Sequence, residues 1–317
     1  MKKAAVLGAG RWGQHWVRTL HRLEALDSVA DLSSSIRERV VTAYPQLPVY
    51  ESYEEIWGSK AEAVVIATPA HTHYAMAKAA ILSGKDVLVE KPLTLSVRHA
   101  QELVRLAKAH RRILMVGHLL LYQPAMQWIQ AYLSSGELGE LYSLHLRRAQ
   151  LGTIRSVENA MWSLGVHDIA VILSLIGKSP TMLRSESQSI FQRGIEDDVH
   201  LHLSFSGGQQ AHLHTTWLWP QKERRMVIIG SRGMLEFEEL TQTVKLHRKG
   251  FSEDLACLDD GSEIVFSGTG EPLQSEALHF LECIETRQVP WSDGEQGVAV
   301  VRVLEEATRM MKEGSRR

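Results

Sequence analysis

The feature that most constrains this chain is a six-residue turn near its start. Gly8-Ala9-Gly10-Arg11-Trp12-Gly13 follows the apolar run Ala4–Leu7 directly and opens a stretch with helical spacing. A strand running through glycines into a helix is the arrangement that holds a dinucleotide pyrophosphate. Gly8 allows the sharp turn and Gly10 lets main chain approach the phosphates. Gly13 permits close packing of helix on sheet, and the helix N-terminus favours the anion. Arg11 and Trp12 lie in the same loop and join the candidate cofactor contacts. Asp31 stands at the expected end of the second strand. A carboxylate there accepts hydrogen bonds from both ribose hydroxyls and repels a 2′-phosphate, which selects NAD over NADP. Arg37 argues the other way, since it could reach a 2′-phosphate, unless it lies on a solvated helix face.

The rest of the first third repeats the same alternation. Short β-type runs at Ala63–Ala67, Asp86–Val89 and Ile113–Val116 are separated by helical stretches such as Tyr74–Leu82 and Val97–Ala109. Continuous apolar strands between amphipathic helices imply a parallel sheet covered on both faces, and right-handed crossovers make it a doubly wound Rossmann domain. After Gly117 the pattern changes. Helical stretches Pro124–Leu133 and Val166–Leu175 flank a strand at Leu141–Ala149. Residues from Thr181 to His247 then read as successive strands with glycine turns at 206–208 and 230–233. The second domain is therefore expected to be α+β with an antiparallel sheet. Helices return at Ser275–Glu285 and Glu295–Lys312. The expected domains are residues 1–118 and 119–317, with the C-terminal helices free to pack back on the first.

Composition excludes several classes. The 317 residues suit about two domains of roughly 150 each. Hydrophobic residues make up 44% and charged residues 23%, which excludes a disordered tail or a fibre. The formal charge of −2 leaves no broad basic field, so neither nucleic acid nor a membrane surface is an expected partner. Cys257 and Cys283 are isolated, as in a reducing compartment. The start of the chain lacks the apolar core of a signal peptide, and no run reaches the roughly 18 apolar residues of a membrane span. The expectation is a cytoplasmic protein.

Ligands of open α/β sheets sit at the carboxyl ends of strands. Thr68 and Pro69 end one strand and are expected to line the cofactor cleft. His71, which follows, reads as solvated, and His73 divides evenly between cleft and surface. Glu90-Lys91-Pro92 ends the strand Asp86–Val89. Beside an oxidised nicotinamide, Lys91 would meet a positive charge and some desolvation, both of which lower an ammonium pKa. That suits it to proton transfer with a substrate hydroxyl near neutral pH.

The segments GAGRWG, ATPAHTHY, VEKPL, VGHLLLYQP and WSLGVHD, in this order, resemble the Gfo/Idh/MocA oxidoreductases. The resemblance implies a Rossmann domain plus an open-faced antiparallel sheet, a nicotinamide dinucleotide and a sugar-like substrate. It implies that Lys91 and His167 flank the reacting carbon and that Glu90 and His118 lie at the cofactor. Many members carry Asp four residues before the histidine, where this chain has Ser163. Serine can hydrogen-bond a hydroxyl or the imidazole, one helical turn away, but cannot act as the carboxylate. The acid–base burden therefore falls on His167 and Lys91, while Asp168 reads as structural.

The fuller segments GAGRWGQHWVR, LGTIRSVENAMWSLGVHDI and TTWLWPQKERR are similar to a narrower branch, the nucleotide-sugar 3-dehydrogenases acting on UDP-N-acetylglucosamine. That likeness implies oxidation of the sugar 3-hydroxyl, ahead of transamination, for a diamino sugar of the cell envelope (lipopolysaccharide). A UDP substrate needs cations at its pyrophosphate. Arg148, Arg155, Lys222 and Arg224 are the candidates, Arg155 foremost because it precedes His167. Tyr122, Asn159 and Trp162 are candidates for contact with sugar or uracil, with core burial the competing reading for Trp162. The rival functions are another sugar or cyclitol dehydrogenase, a non-catalytic NAD-binding regulator and a redox-neutral NAD-dependent glycosidase. A regulator would need neither Lys91 nor His167.

His200, His202, His212 and His214 invite a metal. A two-residue loop at Gly207-Gly208 sets His202 opposite Leu213 and splits the pairs between faces. A three-residue loop sets His202 opposite His214 and gathers all four on one face. Apolar alternation favours the second. No carboxylate is evident beside them in the sequence, so no metal is expected. The polar stripe is instead expected to face a neighbouring sheet in a homo-oligomer, a dimer or tetramer, as the resemblance implies.

Overall fold

A computed structural model describes residues 2–252 and 254–314. The chain divides into two compact units: residues up to Leu119 together with Glu271–Arg302, and Leu120–Gly270 together with the chain from Val303 on.

In the first unit the expected alternation runs β1 (Ala4–Leu7), α1 (Gly13–Arg22), β2 (Leu26–Ala30), α2 (Ser34–Ala43), β3 (Val49–Tyr50), α3 (Glu54–Trp57), β4 (Ala63–Ile66), α4 (His73–Leu82), β5 (Asp86–Glu90), α5 (Val97–His110) and β6 (Leu114–Gly117). Every pairing is parallel, in the order β3-β2-β1-β4-β5-β6. β1, β4, β5 and β6 are buried along their whole lengths, as a sheet covered on both faces requires. The strand order reverses between β1 and β4, and the carboxyl ends at such a switch point form the ligand crevice. The glycine turn follows β1 and Thr68 follows β4, so both stand at that point.

The second unit contains α6 (Pro124–Ser134), β7 (Leu141–Leu151), a π-helical turn (Met161–Gly165), α7 (Val166–Ile176), β8 (Met182–Gln188), β9 (Asp198–Ser204), β10 (Gln210–Thr216), β11 (Leu218–Gly230), β12 (Gly233–Glu238), β13 (Thr243–Phe251) and β14 (Cys257–Ser267). Its eight strands lie in the order β14-β13-β12-β11-β7-β10-β9-β8. The sheet is mixed rather than purely antiparallel, because β7 and β10 pair in parallel. Strands also continue past His247, with β14 as an edge. Helix α7 is apolar on nearly every side and is buried accordingly. Gly165, just before it, lets the π turn approach β10: a Cβ there would lie 3.2 Å from the Thr215 methyl. Helix α8 (Pro272–Thr286) returns to the first unit, and α9 (Gly294–Gly314) contributes to both. Among the described residues, no helix is long and apolar enough to cross a membrane.

The β9–β10 hairpin takes neither expected register. His202 faces His212 and His200 faces His214. Phe205 continues the inward alternation and closes the turn by pairing with Gln209, so the loop is Ser206-Gly207-Gly208, with Gly208 at φ +83. The four histidines still share one face, because this register keeps the parity of the favoured one.

Candidate active site

At the glycine turn each residue has the room its role demands. Gly8 adopts φ +83, a conformation that suits glycine. A Cβ on Gly13 would fall 1.8 Å from the Gly8 carbonyl oxygen, whereas one on Gly10 would meet nothing within 4 Å. The turn thus closes tightly on one side and leaves open space over Gly10 for a pyrophosphate. Asp31 is buried at the end of β2, with Oδ2 accepting from the Ala9 amide at 2.7 Å and Oδ1 from the Ser33 amide at 2.9 Å. Arg37 turns back to donate to the Asp31 and Leu32 carbonyls and lies 3.5 Å from Glu51. It is therefore neither on a solvated face nor disengaged for a 2′-phosphate. These residues fit NAD.

The turn after β5 is anchored to this loop. Glu90 is buried, and its carboxylate accepts from the indole N–H groups of Trp12 and, at 2.7 Å, Trp16. Burial pushes its pKa up, against the pull of the two indoles and of Lys91. Next to it in the chain, Lys91 is half-buried and joined to Pro92 by a cis peptide bond. His118, one residue beyond β6, is wholly enclosed. Burial, and then the Lys91 ammonium, push its pKa down to about 3, so it is neutral. Neither of its ring nitrogens has a hydrogen-bond partner among the described residues.

Among the other candidates of this unit, His73 serves the scaffold. His73 is buried, with Nδ1 2.8 Å from the Pro92 carbonyl oxygen and Nε2 2.9 Å from that of Thr68. It ties the loop after β4 to the loop after β5, which corrects the cofactor role expected for it. The Thr68 hydroxyl pairs with Thr72 at 2.7 Å, and Pro69, His71 and Arg11 are exposed. Sequence reasoning missed Trp16 and Glu276. Glu276, on α8, is fully buried with neither carboxylate oxygen partnered among the described residues. Burial, then the Glu90 charge, raise its pKa well above the carboxylate range. An isolated Glu in a helical stretch gives no signal of such burial.

In the second unit, His167 lies in the first turn of α7 and Ser163 in the π turn before it, both against buried surroundings. The π turn replaces the regular helical turn expected to align these two side chains. Such turns are frequent at functional sites. Tyr122 is fully buried, which makes it a core residue rather than the expected substrate contact. Trp162 donates from Nε1 to the Thr308 hydroxyl at 2.9 Å. Asn159 caps the helical segment: Oδ1 accepts from the Trp162 amide at 3.0 Å, while Nδ2 donates to Glu196 at 2.6 Å. With both ends of its amide engaged, Asn159 is a capping residue rather than the expected substrate contact.

Arg148 requires the same correction. Its guanidinium holds Asp168 in a two-point pair (2.6 and 3.0 Å) and reaches Glu239 at 2.6 Å. Burial opposes its charge, but the two carboxylates outweigh burial and raise its pKa. It neutralises a buried carboxylate pair and is not available to a pyrophosphate. Arg224 is likewise internal, donating to the Ala149 carbonyl and the Gln150 side chain. Arg155, 3.9 Å from Glu158, and Lys222 remain exposed cations.

Comparison with known proteins agrees with this division. A family model for the NAD-binding Rossmann fold of the GFO/IDH/MocA oxidoreductases matches residues 2–118, and one for the GFO/IDH/MocA C-terminal domain matches residues 126–236. The UDP-N-acetylglucosamine 3-dehydrogenase of Acidithiobacillus ferrooxidans is 25% identical over 300 residues, 94% of either chain. Its solved structure superposes with a TM-score of 0.87 at 24% identity, covering 98% of both chains, and supports the fold. The scyllo-inositol 2-dehydrogenase (NAD+) of Bacillus subtilis is 24% identical over 91% of this chain and 87% of its own.

Proposed function

Since the chain belongs to the Gfo/Idh/MocA family and is an NAD-dependent oxidoreductase, we propose that it oxidises a sugar hydroxyl to a ketone, with UDP-N-acetylglucosamine as substrate and its 3-hydroxyl as the reacting group. The observation that carries this reading is the anchoring of the Lys91 turn. Glu90 binds Trp12 of the glycine loop and Trp16 of α1, which fixes the residue next to Lys91 against the cofactor-binding turn. NAD supplies the hydride acceptor when bound.

In this reading Lys91 and His167 handle the hydroxyl proton, one as base and the other as hydrogen-bond donor or relay. His118, held neutral, places no second cation beside Lys91. Ser163 hydrogen-bonds the substrate hydroxyl or the His167 ring, and Trp162 flanks the sugar. With Arg148 and Arg224 committed elsewhere, Arg155 and Lys222 are the cations left to meet a UDP pyrophosphate. The nucleotide itself rests on the similarity to the Acidithiobacillus enzyme.

Mixing the protein with NAD and UDP-N-acetylglucosamine should give a rise in the NADH absorbance band. Lys91→Ala should retain cofactor binding while turnover falls by about 10²- to 10⁴-fold, the usual range for a positioned acid or base. A flat trace across nucleotide sugars, with cofactor demonstrably bound, refutes the dehydrogenase reading; full activity in Lys91→Ala removes that lysine from the chemistry.

A further inference from the structure

The outer face of the eight-stranded sheet carries an unusual concentration of imidazoles. His145 from β7, His200 and His202 from β9, and His212 and His214 from β10 line one concavity of about 360 Å³. Asp198 shares the outward parity of His200, two residues away on β9. It is the carboxylate that the sequence analysis did not set beside these histidines. Its Oδ2 lies 3.1 Å from His214 Nε2 and its Oδ1 lies 3.6 Å from His200 Nε2. The two rings stack with centroids 4.1 Å apart and planes 5° from parallel. One ligand atom from each of the three residues falls within 4.8 Å of the others.

We propose that Asp198, His200 and His214 form a binding site for a divalent transition-metal ion, zinc by its donor set. Two imidazoles and one carboxylate are the nitrogen and oxygen donors zinc favours, and they leave a fourth position for water. Ligand atoms about 2.0–2.1 Å from a tetrahedral ion stand roughly 3.3 Å apart. The carboxylate-to-imidazole separations of 3.1 and 3.6 Å lie near that value, and closing the site requires the two stacked rings to turn their nitrogens toward a common point. His214 is the ligand fixed most firmly. Its side chain is only 11% exposed, it packs edge-on against Trp219, and its Nδ1 is buried with no hydrogen-bond partner among the described residues. The ion would join β9 to β10 where His200 faces His214, and the site lies wholly within the second unit.

Tag-free full-length protein should be titrated calorimetrically with zinc chloride, with calcium as the hard-cation control. One zinc per chain with Kd at or below about 10⁻⁶ M is expected, with no calcium binding. His200→Ala and His214→Ala should each weaken zinc at least tenfold. Asp198→Asn, nearly isosteric, should do the same while circular dichroism stays unchanged. Cobalt(II) should give visible d–d absorption that zinc displaces. Wild-type zinc affinity in Asp198→Asn and His200→Ala, or the absence of any zinc binding, overturns the proposal. An equal loss in His212→Ala overturns the choice of these three ligands.

Discussion

Two alanine substitutions within the same phosphate-binding turn should fail in opposite ways. Gly13→Ala introduces a Cβ 1.8 Å from the Gly8 carbonyl oxygen and 2.8 Å from its carbon, both main-chain atoms of a buried turn. Ordinary contact begins at 3.4 Å, so α1 must retreat from β1 by about 1.6 Å. Overpacking of this kind costs about 1–3 kcal/mol, and in a domain of this size each kcal/mol lowers Tm by about 2–4 °C. Gly13→Ala should therefore melt about 2–12 °C lower even without cofactor. At Gly10 a Cβ meets nothing, and the backbone is outside the positive-φ region, so Gly10→Ala should match wild-type stability within about 0.5 kcal/mol. Its methyl group instead occupies the space a pyrophosphate needs. NAD affinity should fall at least tenfold, which corresponds to about 1.4 kcal/mol. Differential scanning fluorimetry without ligand, followed by NAD titration monitored by tryptophan fluorescence, separates the two effects. Wild-type NAD affinity in Gly10→Ala, or an unchanged melting temperature in Gly13→Ala, would refute the reasoning.

His118 provides a test of pH dependence. Its folded pKa of about 3 lies below the unfolded value near 6.5, so the unfolded chain takes up the proton first and stability is lost as pH falls through that window. Between pH 7 and pH 5 this amounts to at most about 2 kcal/mol, which urea denaturation should show as a smaller acid loss in His118→Gln; parallel curves for the two proteins would contradict it. Arg148→Ala strands the Asp168 and Glu239 carboxylates without their cation and should cost about 3–5 kcal/mol, whereas the double replacement Arg148→Met with Asp168→Leu should restore much of that loss. Equal stability of wild type and Arg148→Ala in denaturant would show that the pair carries no such load.

The parts of the fold written in local patterns were legible. Strand, glycine turn and helix occupy consecutive residues, so the placing of Gly8, Gly10 and Gly13 after β1, and of Asp31 at the end of β2, follows from spacing. The parallel pairing of β7 with β10 was not legible, because alternation reads the same whichever way a neighbour runs. Charged side chains were hardest to assign, since a charge takes its role from what neutralises it. Arg148 read as a phosphate ligand because Asp168 and Glu239 lie 20 and 91 residues away. Asn159 could have been read more closely, as an Asn ahead of a helical segment is a capping signal. Asp198 could have been as well, since period two places it on the histidine face.

Glu90 shows the difference most clearly. The family resemblance implied contact with the cofactor, but its carboxylate faces two indoles and is buried near Glu276. Burial raises the pKa of this carboxylate, and the Trp16 and Trp12 indoles, together with Lys91, oppose that rise. The glycine loop and the Lys91 turn are consequently coupled through one group. Loosening either indole should weaken the position of the lysine as well as the loop, a dependence that spacing along the chain does not express.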